Sequence, residues 1–344
     1  MNAVFCFDGT CNEPSDVDDV FYNSSISNIL KTHIFCGGDL INTSHAFGQQ
    51  KSFYYAGIGT YGNWLSQVFN TMFAPEYADL ESIYNQAYND YLTLTGDDHI
   101  FIFGFSRGAA IARRFASKLT EHGRKITFLG VYDTVASIGM PDLSAHTQPA
   151  SDVVFENNSV SPLIQQAVHL VAIDERRIAF QPLLMAPGAD VKEVWFAGVH
   201  ADIGGGFWHD GLADICLSYM LEEAKRFGLQ VLELHQVDYS KLSENDVSIG
   251  SDDIAIFPQI DAPLHQKART GFMSSKTLNP RQVRVDCLED CMPLVHYSVV
   301  ERFQAIADYR PIALRNKPFQ LLLPNGERSG MIFGIEGMRE YSVL

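Results

Sequence analysis

The chain is poor in several things, and each shortage removes a class of answer. Its six cysteines, Cys6, Cys11, Cys36, Cys216, Cys287 and Cys291, are irregularly spaced. A disulfide-stapled secreted fold needs more of them, so reduced thiols in a protein that is cytoplasmic as synthesised are expected. Cys287 and Cys291 have no second pair to answer them, so no metal site and no cofactor is expected. Basic residues are scarce: 25 Lys and Arg stand against 41 Asp and Glu, a formal net charge of −16. That excludes nucleic acid as the main partner, because phosphate binding needs clustered base. It equally disfavours electrostatic docking on anionic lipid, leaving transient apolar contact with a membrane surface open. No apolar run reaches transmembrane length. Nor does the N-terminus combine a basic region with an apolar run, so any export is expected to proceed without a cleavable signal. Internal repeats and low-complexity tracts are absent.

What remains is an ordinary globular composition, 46% hydrophobic over 344 residues. That is enough to cover a full sheet on both faces. A single domain over 1–344 is expected, with a lid at 61–75 and a cap or insertion at 231–290. The lid expectation comes from Trp64, Leu65, Val68, Phe69, Met72 and Phe73, which recur at helical spacing just past a strand end. A stripe of that kind also suits plain core packing.

The strongest local signal is Ile100-Phe101-Ile102-Phe103 followed by Gly104-Phe105-Ser106-Arg107-Gly108 and an Ala-rich run to Ala116. A buried strand, a G-x-S-x-G turn and a helix make the nucleophile-elbow context of α/β-hydrolase-like sheets. Gly104 and Gly108 are expected where a side chain would strike neighbouring backbone. Ser106 then stands at the tip, and the N–H of Arg107 points to the same place at the helix N-terminus.

Along the chain, strands are expected at 3–7, 52–56, 126–132 and 193–199, and helices at 24–35, 79–94, 164–173 and 212–227. Residues 295–303 read as a loop entering a helix, with Ser298 as a cap. Strands alternating with helices imply an α/β fold, a mostly parallel sheet with helices on both faces. Asp8-Gly9-Thr10 follows the first strand and borders the site, where Gly9 or Thr10 can add the second oxyanion N–H. Asp-Gly-Thr also resembles the loop of haloacid dehalogenase-like phosphatases. The position of their nucleophilic Asp is Cys6 here, which removes that alternative.

A serine hydroxyl needs a base, and the base needs an orienting acid. Two sets fit the chain order. Ser106, Asp202 and His296 is favoured, because Asp202 lies on a Gly-rich turn after the second strand beyond the elbow and His296 precedes a late helix. Ser106, Asp133 and His200 is the competing set, on consecutive strand ends. Asp8, Trp64, Phe69 and Phe105 are the candidate substrate contacts.

Taken together, Phe7-Asp8-Gly9-Thr10, the elbow, Gly130-Val131-Tyr132-Asp133-Thr134-Val135, Asp174-Glu175-Arg176-Arg177, Gly198 to Gly206 and His296-Tyr297-Ser298-Val299 fall in a telling order. The chain resembles an uncharacterised α/β-hydrolase domain family that includes type VI secretion lipase effectors of the first class, over the N-terminus to about Arg310. The resemblance implies a serine esterase or phospholipase with Ser106 at the family's elbow position, acting on an acyl ester or lipid. A thioester or peptide hydrolase, and an inert scaffold binding a partner or membrane, are the alternatives.

Overall fold

The computed structural model describes residues 1–9, 26–40, 48–57, 76–96, 98–135, 159–207, 211–244, 247–265, 278–283 and 292–341, and every structural statement concerns these. Six parallel strands form the heart of one sheet: β1 (Asn2–Phe7), β2 (Gln50–Tyr55), β3 (His99–Phe105), β4 (Phe128–Tyr132), β5 (Ala167–Ala172) and β6 (Val191–Phe196). A small antiparallel hairpin, β7 (Ser243–Glu244) and β8 (Val247–Ser248), lies apart. Parallel β9 (Leu294–His296) and β10 (Pro318–Leu322), then antiparallel β11 (Ile332–Phe333), complete the main sheet in the order β11-β10-β9-β6-β5-β4-β3-β1-β2.

Side-chain alternation explains why the sheet is covered on both faces. In β1 and β3, Val4, Cys6, Phe101, Phe103 and Phe105 enter one core, while Ala3, Phe5, Phe7, Ile100 and Ile102 enter the other. A run that is apolar at every position is the mark of a parallel strand with no wet face. The first core is closed by α1 (Asn28–Phe35) and a later helix, α5 (Gly211–Lys225), through Ile29, Cys216, Leu217 and Met220. The second is closed by α2 (Glu76–Leu92) and α3 (Ser106–Glu121), whose Ile111, Phe115 and Leu119 recur every four residues and are buried. Phe5 stacks on Phe53 at 5.1 Å and meets Phe115 at 5.0 Å, which ties sheet to helix. A third core joins β9 and β10 to the helix Ser298–Ala305, and a fourth packs Leu232, Leu242, Ile249 and Ile254 against α1.

Two expectations are corrected. Residues 164–173 contain β5, not a helix: the strand is fully buried between β4 and β6. Its apolar run carries Val168 and Val171, and a short buried strand has no periodicity to separate it from a buried helix. The stretch 295–303 likewise begins in β9. Ser298 opens the following helix, but its hydroxyl bonds the His296 ring at 2.8 Å and not the helix backbone. The lid at 61–75 lies outside the described residues, and of 231–290 only 231–244, 247–265 and 278–283 are described.

The order has one consequence for function. After β1 the chain pairs β2 on one side and then crosses to lay β3 on the other. That reversal opens a crevice beyond the carboxyl ends of β1 and β3, the usual place for a ligand in an open α/β sheet.

Candidate active site

Ser106 sits in that crevice. The step from β3 into α3 leaves it at φ +58°, a backbone conformation that L-residues other than Asn and Asp seldom adopt. The flanking glycines are where sterics demand them. A Cβ on Gly108 would fall 2.3 Å from the Asp8 carbonyl oxygen and 2.4 Å from that of Phe7, and one on Gly104 would fall 2.7 Å from the Ala109 Cα. Helix α3 can therefore press against the end of β1 because Gly108 lacks a side chain, and against β3 because Gly104 does.

Two further strand ends reach the serine. Asp133, at φ +39°, follows β4. His200 begins the short helix α4 (His200–Gly204) after β6. The His200 Nε2 lies 2.8 Å from Ser106 Oγ, and its Nδ1 lies 2.6 Å from Asp133 Oδ2. The ring is contacted by Phe105, tilted at 4.7 Å, and by Phe180, edge-on at 4.9 Å between centroids. A Cβ on Gly204 would lie 2.1 Å from the Phe105 ring, so α4 rests directly on the residue before the serine.

The base is held by its backbone as well. Three consecutive N–H groups, of Gly198, Val199 and His200, donate to three different carboxylates: Asp174 at 2.9 Å, Asp202 at 2.9 Å and Glu175 at 3.2 Å. Asp174 also accepts from the Tyr309 hydroxyl at 2.9 Å. Glu175 takes the N–H groups of Arg176 and Arg177 together with the Arg177 guanidinium. That gives Asp174-Glu175-Arg176-Arg177 its place, as the support of the histidine turn.

Burial sets the charges. It lowers the His200 imidazole below its ordinary value, partly opposed by Asp133. Burial alone would raise Asp133, but Arg281 and His200 outweigh it and hold this carboxylate well below the usual range. In the same way Glu175 is held down to about 2, chiefly by Arg177 against its burial. Asp174 is pushed up to about 7, chiefly by burial.

The favoured partners from sequence are elsewhere. Asp202 Oδ1 is paired with His265 Nδ1 at 2.6 Å, and His265 stacks on Phe207. His296 is packed in the sheet, stacked on Phe196 at 4.3 Å and bonded to Ser298. Burial drives its ring down to about 3, so it stays neutral. The geometry thus corrects the favoured trio: with β5 counted as a strand, Asp202 follows the third strand beyond the elbow, and its carboxylate is taken by the Val199 N–H and His265. Of the other candidates, Asp8 is half-buried and accepts from the Gly9 N–H at 2.7 Å, Ser27 at 2.5 Å and Tyr54 at 2.6 Å. Burial raises its carboxyl, against those bonds. Gly9 lies beside Ser106, but its N–H is given to Asp8 here and not held out toward the serine. The ring of Phe105 belongs to the first core and to the floor under His200. Arg107 lies in the first turn of α3 as expected. Thr10, Trp64 and Phe69 lie outside the described residues. One residue that sequence reasoning missed is Arg281, whose guanidinium meets both oxygens of Asp133; it lies in a stretch with no motif.

With the site in view, comparisons with known proteins can be placed. An uncharacterised Saccharomyces cerevisiae protein is 25% identical, over 54% of this chain and 33% of its own length. Among solved structures, an uncharacterised Pseudomonas aeruginosa protein matches 76% of this chain and 49% of its own, at 19% identity and TM-score 0.45. The Tle1 effector bound to the VgrG spike of the type 6 secretion system matches 60% and 51%, at 22% identity and TM-score 0.39. The chain thus spans a third to about half the length of these relatives. The family described as T6SS, phospholipase effector Tle1-like, catalytic domain matches residues 1–123 and 114–223. Ser106, Asp133 and His200 all fall inside that stretch, and it ends short of the Arg310 expected from sequence. Because the match covers well over half of the 344 residues, the chain belongs to the family of Tle1-like type VI secretion phospholipase effector catalytic domains.

Proposed function

We propose that this chain is a serine hydrolase that cleaves carboxylic esters of lipid type. The observation that carries the reading is one imidazole bridging a strained serine and a buried carboxylate, 2.8 Å and 2.6 Å away. Ser106 attacks the acyl carbon while His200 Nε2 takes the hydroxyl proton. The Nδ1–H of the same ring donates to Asp133, which fixes the tautomer and stabilises the imidazolium that forms. His200 then returns the proton to the leaving alcohol, and water repeats the cycle on the acyl-enzyme. The N-terminus of α3, with the N–H of Arg107 in its first turn, provides positive potential where the oxyanion develops. The preference for a lipid ester follows from family membership, since the matched family is described by its phospholipase effectors.

The test is covalent labelling of the full chain with a fluorophosphonate, read by intact and peptide mass spectrometry. A single adduct on Ser106 is expected, absent in Ser106→Ala. Ser106 is only 3% exposed, so access is part of what this measures. No adduct on a folded protein would leave the scaffold reading in place. Turnover of phospholipid vesicles, p-nitrophenyl esters, acyl-CoA and peptides then ranks the substrate classes. Fastest hydrolysis of the acyl-CoA or peptide probes would overturn the lipid-ester assignment.

A further inference from the structure

The carboxylate of Asp133 carries a cation that a serine–histidine–acid relay does not require. Arg281 is 2% exposed and comes from the insertion, far along the chain from the strands that build the site. Its Nη1 lies 2.5 Å from Asp133 Oδ1 and its Nη2 2.8 Å from Oδ2. The same guanidinium donates to the carbonyl oxygens of Ala172 and Phe180. Backbone contacts build this placement. Leu278 bridges Arg177 in antiparallel fashion, Asn279 N–H donates to the Arg176 carbonyl at 2.7 Å, and Val283 is buried in the third core. Arg281 is thus anchored on both sides and delivered to the acid. Asp133 Oδ2 is shared between Arg281 and the His200 Nδ1.

That sharing has an electrostatic effect. A carboxylate beside an imidazole favours the protonated ring, and a guanidinium on the same carboxylate cancels part of that preference. Among the described residues, few other charged groups surround His200. Glu175, which accepts the His200 N–H, favours the imidazolium, and Arg177, clasped to Glu175, opposes it. Asp202 is occupied by His265, and Asp174 by the Gly198 N–H and Tyr309. Arg281 is therefore the cation in direct contact with the acid that orients the base.

We propose that Arg281 is a positioning residue, which fixes the Asp133 carboxylate against His200 and lowers the pH at which His200 becomes available as a base. Through it the relay depends on correct seating of the insertion. The proposal rests on the serine-hydrolase reading above.

The experiment measures the rate of fluorophosphonate adduct formation on Ser106 from pH 5 to 9. Full-length wild type is compared with Arg281→Met, Arg281→Gln and Arg281→Lys, with folding checked by circular dichroism and thermal unfolding. In the uncharged Met and Gln variants the midpoint of the acid limb is expected to rise by about one pH unit. The Lys variant, which keeps the charge, is expected to hold the wild-type midpoint even where its plateau rate drops. A rate lowered equally at every pH in Met or Gln, with an unmoved midpoint, would reduce Arg281 to packing and overturn the proposal. If only the Lys variant folds, a midpoint shifted by a full unit despite the retained charge overturns it too. A folded wild type that takes up no probe at any pH defeats the hydrolase reading itself, and this proposal falls with it.

Discussion

At the scale of single residues, the favoured histidine of the sequence and its competitor turn out to sit in different surroundings. His200 lies four residues beyond β6 and His296 ends β9, and both are almost fully buried. Only His200 has a serine on one ring nitrogen and a carboxylate on the other, whereas His296 is gripped by Phe196, Tyr219 and Ser298. Their substitutions should therefore separate cleanly. His200→Ala is expected to slow Ser106 labelling and ester turnover by about 100- to 10,000-fold, the range for losing a general base. His296→Phe, which keeps a ring in the stack, should leave the labelling rate within about threefold of wild type while both proteins stay folded. Equal losses in the two would dissolve the assignment. Asp202 follows the same logic. Its carboxylate holds the Val199 N–H and His265, so its loss acts on the placement of the histidine turn and not on the proton relay.

At the scale of elements, the strand–turn–helix around Ser106 is the unit that sequence describes best, because its constraints are local. An unbroken apolar run from Ile100 to Phe103 in β3, glycine on both sides of the bend and an alanine-rich helix are each dictated within a dozen residues. Gly108 offers a direct check. Its missing side chain is what lets α3 contact the carbonyl oxygens of Phe7 and Asp8, so Gly108→Ala should lower the unfolding free energy by about 3 kcal/mol or more. Gly96→Ala, where an added Cβ meets nothing within 4 Å, is the control. It should be neutral or stabilising by up to about 1 kcal/mol, and urea unfolding of both variants reads the difference. Strand β5 is the opposite case. Val168, Leu170 and Ala172 face one core and Val171 another, but the run is too short and too uniformly apolar for its period to be read. That misreading removes one strand from the count, so Asp202, which follows the third strand beyond the elbow, reads in the sequence as following the second.

At the scale of the whole molecule, an acidic chain folds around several ionisable groups buried against their preference. Burial drives His33 down to about 4 and His296 to about 3, from an ordinary value of 6.5. Both rings stay neutral in the fold, whereas the unfolded chain protonates them below about pH 6.5. Each therefore withdraws stability as pH falls from 6.5 toward its folded value, on the order of 2 kcal/mol by pH 4.5. Asp174 acts in the opposite sense. Its folded value of about 7 lies above the ordinary 3.8, so the fold binds its proton more tightly and gains stability over the same descent. The histidine contribution is isolated by comparing wild type with His296→Phe in urea at pH 6.5 and 4.5. The variant is expected to lose about 2 kcal/mol less than wild type over that interval. Parallel losses would mean that His296 is not a buried neutral ring.

By itself the sequence determined the doubly covered parallel sheet, the elbow, Ser106 at its tip and the family to which the chain belongs. These follow from local periodicity, from steric demands on glycine and from the spacing of motifs along one chain. Which imidazole and which carboxylate meet Ser106 was decided only in three dimensions. Strand order in a parallel sheet is set by crossovers that bring distant strand ends together, and no periodicity along the chain encodes which of two histidines arrives at the serine. Arg281 is the extreme case. It meets Asp133 from 148 residues away, because backbone pairing with Arg176 and Arg177 and the burial of Val283 carry it there.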